Sequence, residues 1–503
     1  MTMREYMEDL QCEKVLMAWP EVGQAAIQPI EGFLTPETKQ LLEDPMRLLL
    51  PKEKMPTNAP RSRVRASDQE WHQIVNAAWR RGMMRPVDDS CVPRDRSGHL
   101  ITNGAGAVFK EKMIDGRQVA CQRFISILCP INAVTTPIVG SQETLPYIGQ
   151  LTGIMLEEDE SLYLESEDLQ SAFNLFAVPE QWLGFFSYSK KVDGSAMGLP
   201  PGTQVRPALS VIPMGWHSAV GLVQEAVRDL VFNRAGVPRT LSAEKNRPLP
   251  PGKSYAVVYL DNFDEIEIIK SVDVELSQEG VVMSEHHRNF NSACDAAGLP
   301  RNRAKQLVHA FAGGMQGGEF DGRRGILKLG SDKLRNYLQL SLALLARRTW
   351  NEFHLRHWTG KTAFLATFRR SLFSGMGCIF DLIERSRSGD VIPTVAAADE
   401  IVTLVCQSPL AQTNLRAILS TEISCTDASP SGGGSGTASS FAEEAPGVPE
   451  KLAFDGRCGH CAGPLDRAGI YPGLRLPERL RLSRVLRGLH LCPPALMWPR
   501  TPR

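Results

Sequence analysis

The stretch that most constrains the fold is SYAVVYLDNFDEIEII, residues 254–269. A run of strand-forming residues from Tyr255 to Leu260 meets Asp261-Asn262-Phe263-Asp264, and a second apolar run follows. Asp-Asn is ordinary turn chemistry, so these residues predict two antiparallel strands joined by an acidic turn. A carboxylate on a tight hairpin tip is also a rigid metal ligand, because short strands fix its position. The choice between plain hairpin and ligand depends on a second carboxylate elsewhere in the chain.

With 503 residues, 43% hydrophobic and 22% charged, the chain can build a substantial core spread over roughly two to four domains. No apolar run approaches the length of a membrane span. The opening MTMREYMEDLQCEK has neither the basic start nor the apolar centre of a signal peptide. The expectation is an intracellular protein, cytoplasmic or nuclear. Its 11 cysteines lack framework spacing and suit a reducing compartment. The formal net charge is zero, but ten Lys or Arg face three Asp or Glu between Lys333 and Arg387. One segment is basic although the chain is not, and local basic charge is what phosphate contacts need.

Residues 1–60 are Pro-rich and weakly periodic, which predicts an extension. A helix follows, with Ser67 and Glu70 spaced as a capping box and Trp71, Ile74, Val75, Ala78 and Trp79 on one apolar face. Short strand-like runs fill 92–147. SLYL, residues 161–164, is a strand leading into SEDLQSAFNLFAVPEQW, a strand end and a helical pattern. PALSVIPMGWHSAVGLVQEAVRDLVFN begins as a strand, turns at Pro213-Met214-Gly215 and continues as a helix with Val220, Val223, Val227 and Leu230 on one stripe. Residues 283–312 look helical with a break at Gly298-Leu299-Pro300, MQGGEFDGRRGILKL is another hairpin, and 332–386 is helical. SPSGGGSGTASS reads as flexible linker, and the last fifty residues lack regular period. The alternation is that of an α+β fold.

The second carboxylate is Asp168, at the end of SLYLESED. By itself it reads as a solvated acid in an acidic loop. Paired with Asp261, it supplies carboxylates from two separate strands, the arrangement that two-metal phosphoryl transfer requires.

Three stretches in order, Asp168-Leu-Gln-Ser-Ala-Phe173, Pro213-Met-Gly-Trp and Tyr259-Leu-Asp261-Asn262, resemble motifs A, B and C of reverse transcriptases. More closely they resemble the reverse-transcriptase proteins of dinoflagellate retroelements, related to tyrosine-recombinase retrotransposons. RFISILCPIN and TLPYIGQL are similar to the family's fingers segment, GLPRNRAKQLV to the motif carrying its palm lysine, MQGGEFDG to its primer-gripping hairpin, and GKTAFLATFRRSLFS to the helical region after it. The resemblance covers about residues 61–436.

The resemblance implies an RNA-directed DNA polymerase with a right-hand fold of fingers, antiparallel palm sheet and helical thumb. It implies two Mg2+ ions on Asp168 and Asp261, an RNA or DNA template-primer, deoxynucleoside triphosphates and no membrane. Phe173 would lie under the incoming sugar, where its ring blocks a 2′-hydroxyl; read alone, it is a core aromatic. Gly215 would let the backbone pass close to the templating base pair; read alone, it is a strand-to-helix turn. Lys110, Lys112 and Arg123 would neutralise triphosphate, or are solvated strand charges. Lys305 would protonate the leaving pyrophosphate. ARRTWNEFHLRHWTGK would follow the template-primer backbone, or is an amphipathic helix pair.

The expected domains are an extension (1–60), fingers (61–157), palm (158–330), thumb-like helices (331–395), a truncated RNase H-like start (396–436) and a disordered, low-complexity tail (437–503). Asp427 resembles the first RNase H ligand, but too little chain follows for that fold. Cys458 and Cys461 with His490 and Cys492 are poorly spaced for zinc. Asn262 stands where many reverse transcriptases carry a second aspartate, and Met214 where retroviral ones carry Gln. These departures keep a second reading open, a catalytically inactive retroelement-derived protein that binds nucleic acid.

Overall fold

A computed structural model describes residues 7–57, 60–114, 117–270, 283–417, 422–429 and 432–439. Ser67 caps helix α1 (Asp68–Arg80), its hydroxyl accepting from the Glu70 N–H at 3.1 Å. The reciprocal half of the expected capping box is absent, because the Glu70 carboxylate instead accepts from the Cys12 N–H. Trp71, Ile74, Val75 and Ala78 are buried as the period requires, whereas Trp79 is exposed. Next comes a long hairpin, β1 (Gly104–Ile114) and β2 (Arg117–Ile127), paired from Gly104↔Ile127 to Ile114↔Arg117.

The central sheet contains β3 (Glu160–Asp168), β5 (Ser254–Tyr259), β6 (Asn262–Lys270) and β7 (Leu307–Ala310), in the order β7-β3-β6-β5 and antiparallel throughout. The separate strand β4 (Gln204–Leu209) leads through the 213–215 turn into helix α2 (Ala219–Arg228). Strand alternation divides the sheet's residues between two cores. Leu162, Leu164, Val257, Ile266 and Ile268 belong to one; Ala256, Val258 and Phe263 join α2 and helix α3 (Glu285–Ala296) in the other.

Three antiparallel strands, β8 (Ala312–Met315), β9 (Gly318–Asp321) and β10 (Ile326–Leu329), follow β7. Then come helices α4 (Ser331–Leu345), α5 (Glu352–Ala366), α6 (Gly377–Ser386) and α7 (Val395–Gln407). A short strand β11 (Gln412–Asn414) returns to pair with β10. No helix among the described residues is long and apolar enough to cross a membrane.

Several local expectations change. Residues 7–57 are no extension: Leu10, Val15, Trp19, Ile30, Phe33 and Leu42 are buried in the core. The Glu225 carboxylate accepts from Thr35 N–H, Thr35 Oγ1 and Thr38 Oγ1 at 2.7–3.0 Å. These apolar residues enter the core one at a time along a meandering segment, so they show no helical period. SEDLQSAFNLFAVPEQW yields only a short α-helix, Ala172–Leu175, and a single 3-10 turn, Glu180–Trp182. After the break at Gly298-Leu299-Pro300 the chain does not resume a helix but forms β7, whose pairing to β3 decides its conformation.

The chain splits into two compact units, the second beginning at Thr421. Residues 395–417 belong to the first, with Ala397, Ile401, Leu404 and Leu415 in its core. In the second unit, β12 (Glu422–Ser429) pairs with β13 (Gly432–Ser439), Asp427 opposite Gly434. The glycine-rich stretch expected as linker thus forms a strand, since a backbone ladder needs no side chains. Cys458, Cys461, His490 and Cys492 lie outside the described residues.

Candidate active site

Two strand ends build the site. In β6, Asn262 pairs with Tyr259 across the hairpin, so the turn is Leu260-Asp261, and Asn262, Phe263 and Asp264, expected in the turn, belong to β6. Leu260 has φ 55, the positive angle that a two-residue turn of this sense needs at its first central position. A leucine there is strained, and surrounding contacts must hold it. On the other side of β6, Asn262 is the register partner of Asp168 in β3. The Leu169 N–H donates to the Asp261 carbonyl at 2.8 Å, which ties the turn to the end of β3.

This register brings the Asp168 and Asp261 carboxyl groups within hydrogen-bonding reach of one another. Burial, and then the Asp168 charge, push the Asp261 carboxyl up to about 6. Asp168 is 7% exposed, so it is no solvated loop acid.

The backbone also places a cation here. The Asn302 N–H donates to the Asp168 carbonyl at 2.7 Å and the Lys305 N–H to the Asn302 carbonyl at 2.9 Å, forming a tight turn. From that turn Lys305 Nζ reaches Asp168 Oδ2 at 2.7 Å, and Asn302 Nδ2 lies 3.4 Å from the same oxygen.

Asn262 turns its amide to Asp264, Nδ2 to Oδ1 at 2.8 Å. Asp264 lies on the face shared by Asn262 and Asp168 and is fully buried, and Ser166 Oγ also donates to its Oδ1. Burial pushes its carboxyl up to about 6, and Oδ2 has no partner among the described residues.

Gly215 has φ 109, and an added Cβ would stand 2.7 Å from the Ser126 carbonyl oxygen. Only glycine fits that close approach to β2. Asn132 Nδ2 donates to the Gly215 carbonyl at 2.8 Å, joining the turn to the segment after β2. Phe173 sits in the short Ala172–Leu175 helix, partly buried against the core. Lys110 in β1 is half-buried and Arg123 in β2 is exposed; Lys112 is on β1, and its side chain lies outside the described part. None of the three has a described contact with Asp168 or Asp261.

The opposite face of the sheet carries a cluster that the sequence reading missed. Glu165 and Glu265 are direct cross-strand partners, both buried, and like charges so placed repel. Histidines from α3 and β7 resolve the conflict. His287 Nδ1 lies 3.2 Å from Glu265 and 3.5 Å from Glu165, His286 bonds Glu265, and His309 Nε2 is 3.3 Å from Glu165. The Ser284 N–H donates to both Glu165 oxygens at 3.0 Å, and its hydroxyl donates to Glu265 at 2.6 Å. Burial acts to raise the Glu265 carboxyl, but hydrogen bonds from His287, Ser284 and His286 outweigh it and hold the group at about 2. Donor atoms of Glu165, Glu265 and His287 fall within 4.8 Å of one another, and protein groups meet all four carboxylate oxygens.

The chain matches no protein-family model and no curated protein. Among solved structures it is similar to the foamy viral protease-reverse transcriptase dRH in complex with double-stranded DNA, at 14% identity over 83% of this chain and 67% of that one, TM-score 0.47. It is also similar to the foamy viral protease-reverse transcriptase in complex with an RNA/DNA hybrid, at 13% identity over 78% and 47%, TM-score 0.46. A further similarity is to that protein in complex with double-stranded DNA, at 14% identity over 85% and 81%, TM-score 0.46.

Proposed function

We propose that the chain is the RNA-directed DNA polymerase of a retroelement, with the central sheet as palm, the β1–β2 hairpin within the fingers and α4–α7 as thumb-like helices. The observation that carries the proposal is the meeting of Asp168, at the end of β3, with Asp261, in the turn that opens the neighbouring strand β6. A buried carboxylate beside a partly buried one whose pKa it raises is a poor structural element and a good site for divalent cations, which relieve the repulsion.

The donor set is hard oxygen, as Mg2+ requires, and Asp168 and Asp261 would hold the ions. Bound there, Mg2+ supplies charge neutralisation for phosphoryl transfer between the primer's 3′-oxygen and a deoxynucleoside triphosphate. Lys305, now paired to Asp168, carries a proton within reach of the site. In its reaction role that ammonium leaves Asp168 and gives its proton to the departing pyrophosphate. Gly215 keeps the turn beside β2 free of side-chain bulk, and Phe173 lies on the helix immediately after Asp168, suited to contact the sugar. Lys110, Lys112 and Arg123 supply positive charge on the fingers hairpin.

Asn262 favours the second reading. Its amide is committed to Asp264 and adds no charge to the acidic pair, as expected of an inactive nucleic-acid-binding derivative. Primer extension on an RNA template with Mg2+ separates the two. Extension by wild type that vanishes in Asp261→Ala supports the polymerase. Salt-sensitive RNA binding with no extension by wild type supports the derivative.

A further inference from the structure

Gln224 sits in the middle of α2, between Val223 and Glu225, and is fully buried. A buried amide must find partners for its carbonyl and its NH2, and both are on the strand that leads to Asp261. Gln224 Oε1 accepts from the Leu260 N–H at 2.8 Å, and its Nε2 donates to the Val258 carbonyl at 2.9 Å. The same Nε2 lies 3.3 Å from Thr144 Oγ1. Because β5 is an edge strand of the sheet, its outward groups meet no neighbouring strand among the described residues beyond a single bridge at Ala256, whose carbonyl accepts from the Ala243 N–H at 2.9 Å. The Gln224 amide takes that place for one residue pair, just where the chain enters the turn.

We infer that Gln224 is a positioning residue, splinting the strained Leu260–Asp261 turn from α2 so that the Asp261 carboxylate stands where a cation shared with Asp168 can be held. The inference rests on the reading of Asp168 and Asp261 as the metal-binding pair. Leu260 at φ 55 is a conformation that a leucine keeps only when its surroundings over-determine it. Two restraints do so. Leu169 N–H holds the Asp261 carbonyl from the β3 side, and Gln224 holds Val258 and Leu260 from the α2 side. Gln224 touches neither carboxylate, so its effect passes entirely through the backbone of the turn.

The test is direct titration of Mn2+ onto the full chain by calorimetry, alongside primer extension as a function of Mg2+. Gln224→Met keeps the volume and removes both hydrogen bonds. Its Mn2+ affinity should fall roughly tenfold, with the Mg2+ concentration for half-maximal extension rising in parallel and template-primer affinity unchanged. Gln224→Glu, which retains an acceptor for the Leu260 N–H, should fall between wild type and Gln224→Met. A merely structural glutamine would lower the melting temperature and leave Mn2+ affinity at the wild-type value in the folded variants; that result overturns the inference. Absence of extension by wild type defeats the polymerase reading alone. The positioning role is then decided by the Mn2+ titration, with Asp261→Ala as the non-binding reference: equal affinities for wild type and Gln224→Met reject it.

Discussion

The Lys305 ammonium and the Asp168 carboxylate are 2.7 Å apart, the amine mostly exposed and the acid buried. If Asp168 holds a divalent cation as proposed, Lys305 occupies, as counter-ion, the position that cation would claim. Two effects of its removal then oppose one another. Lys305→Met should bind Mn2+ more tightly, because a competing positive charge is gone. It should extend primers about a hundredfold more slowly, because the proposed proton donor is gone. Calorimetry and steady-state extension measured on the same preparation check both, and weaker Mn2+ binding by the variant would contradict the competition.

Asp264 supplies a stability test. Its folded-state carboxyl is raised from 3.8 to about 6, chiefly by burial. The folded state thus favours the protonated form, and stability declines as pH rises from 3.8 through 6, with the whole penalty present above 6. Asp264→Asn keeps an acceptor for Ser166 and Asn262 and removes the charge. Measured in a chelator, the variant should be more stable than wild type at pH 8, by on the order of 1–3 kcal/mol. The two should converge near pH 4.

Legibility from sequence followed the range of the forces involved. The β5–β6 hairpin was readable because alternation and turn residues act within a dozen positions, although the turn is Leu260-Asp261 and the strand already resumes at Asn262. Gly215 was readable as a glycine in a strand-to-helix turn, but its close approach to Ser126 depends on a strand nearly ninety positions away. The acidic run Glu165–Asp168 looked solvated because charges so rarely enter a core unpaired. Its neutralising partners come from Ser284, His287, His309 and Lys305, more than a hundred positions on. Gln224 and Glu225 were signals left unread: polar side chains on an otherwise apolar stretch of α2 ask for buried partners.

Gly215→Ala tests the turn between β4 and α2. The φ of 109 and the 2.7 Å approach of the added Cβ to the Ser126 carbonyl leave no relaxed conformation for alanine. The variant should lose about 1–3 kcal/mol of stability, read as a shift in the urea midpoint at constant slope. An unchanged midpoint would mean that the turn readily moves away from β2.

The last prediction concerns the cluster behind the sheet. Glu265 is held at about 2, below its ordinary 4.5, by His287, Ser284 and His286 against the opposing effect of burial. A depressed carboxyl contributes stability that is fully present above pH 4.5 and is lost as pH falls from 4.5 toward 2. Glu265→Gln forfeits that contribution at every pH and leaves two histidines facing an amide. At pH 5.5 the variant should be less stable by on the order of 3 kcal/mol, and the gap should narrow steadily as pH is lowered to 3. Urea unfolding at a series of pH values checks it. Because α3 is joined to the sheet through these residues, hydrogen exchange in α3 should accelerate in the variant while that in α5 and α6 stays unchanged. A gap that stayed constant from pH 5.5 to 3 would show that Glu265 holds the helix by packing alone.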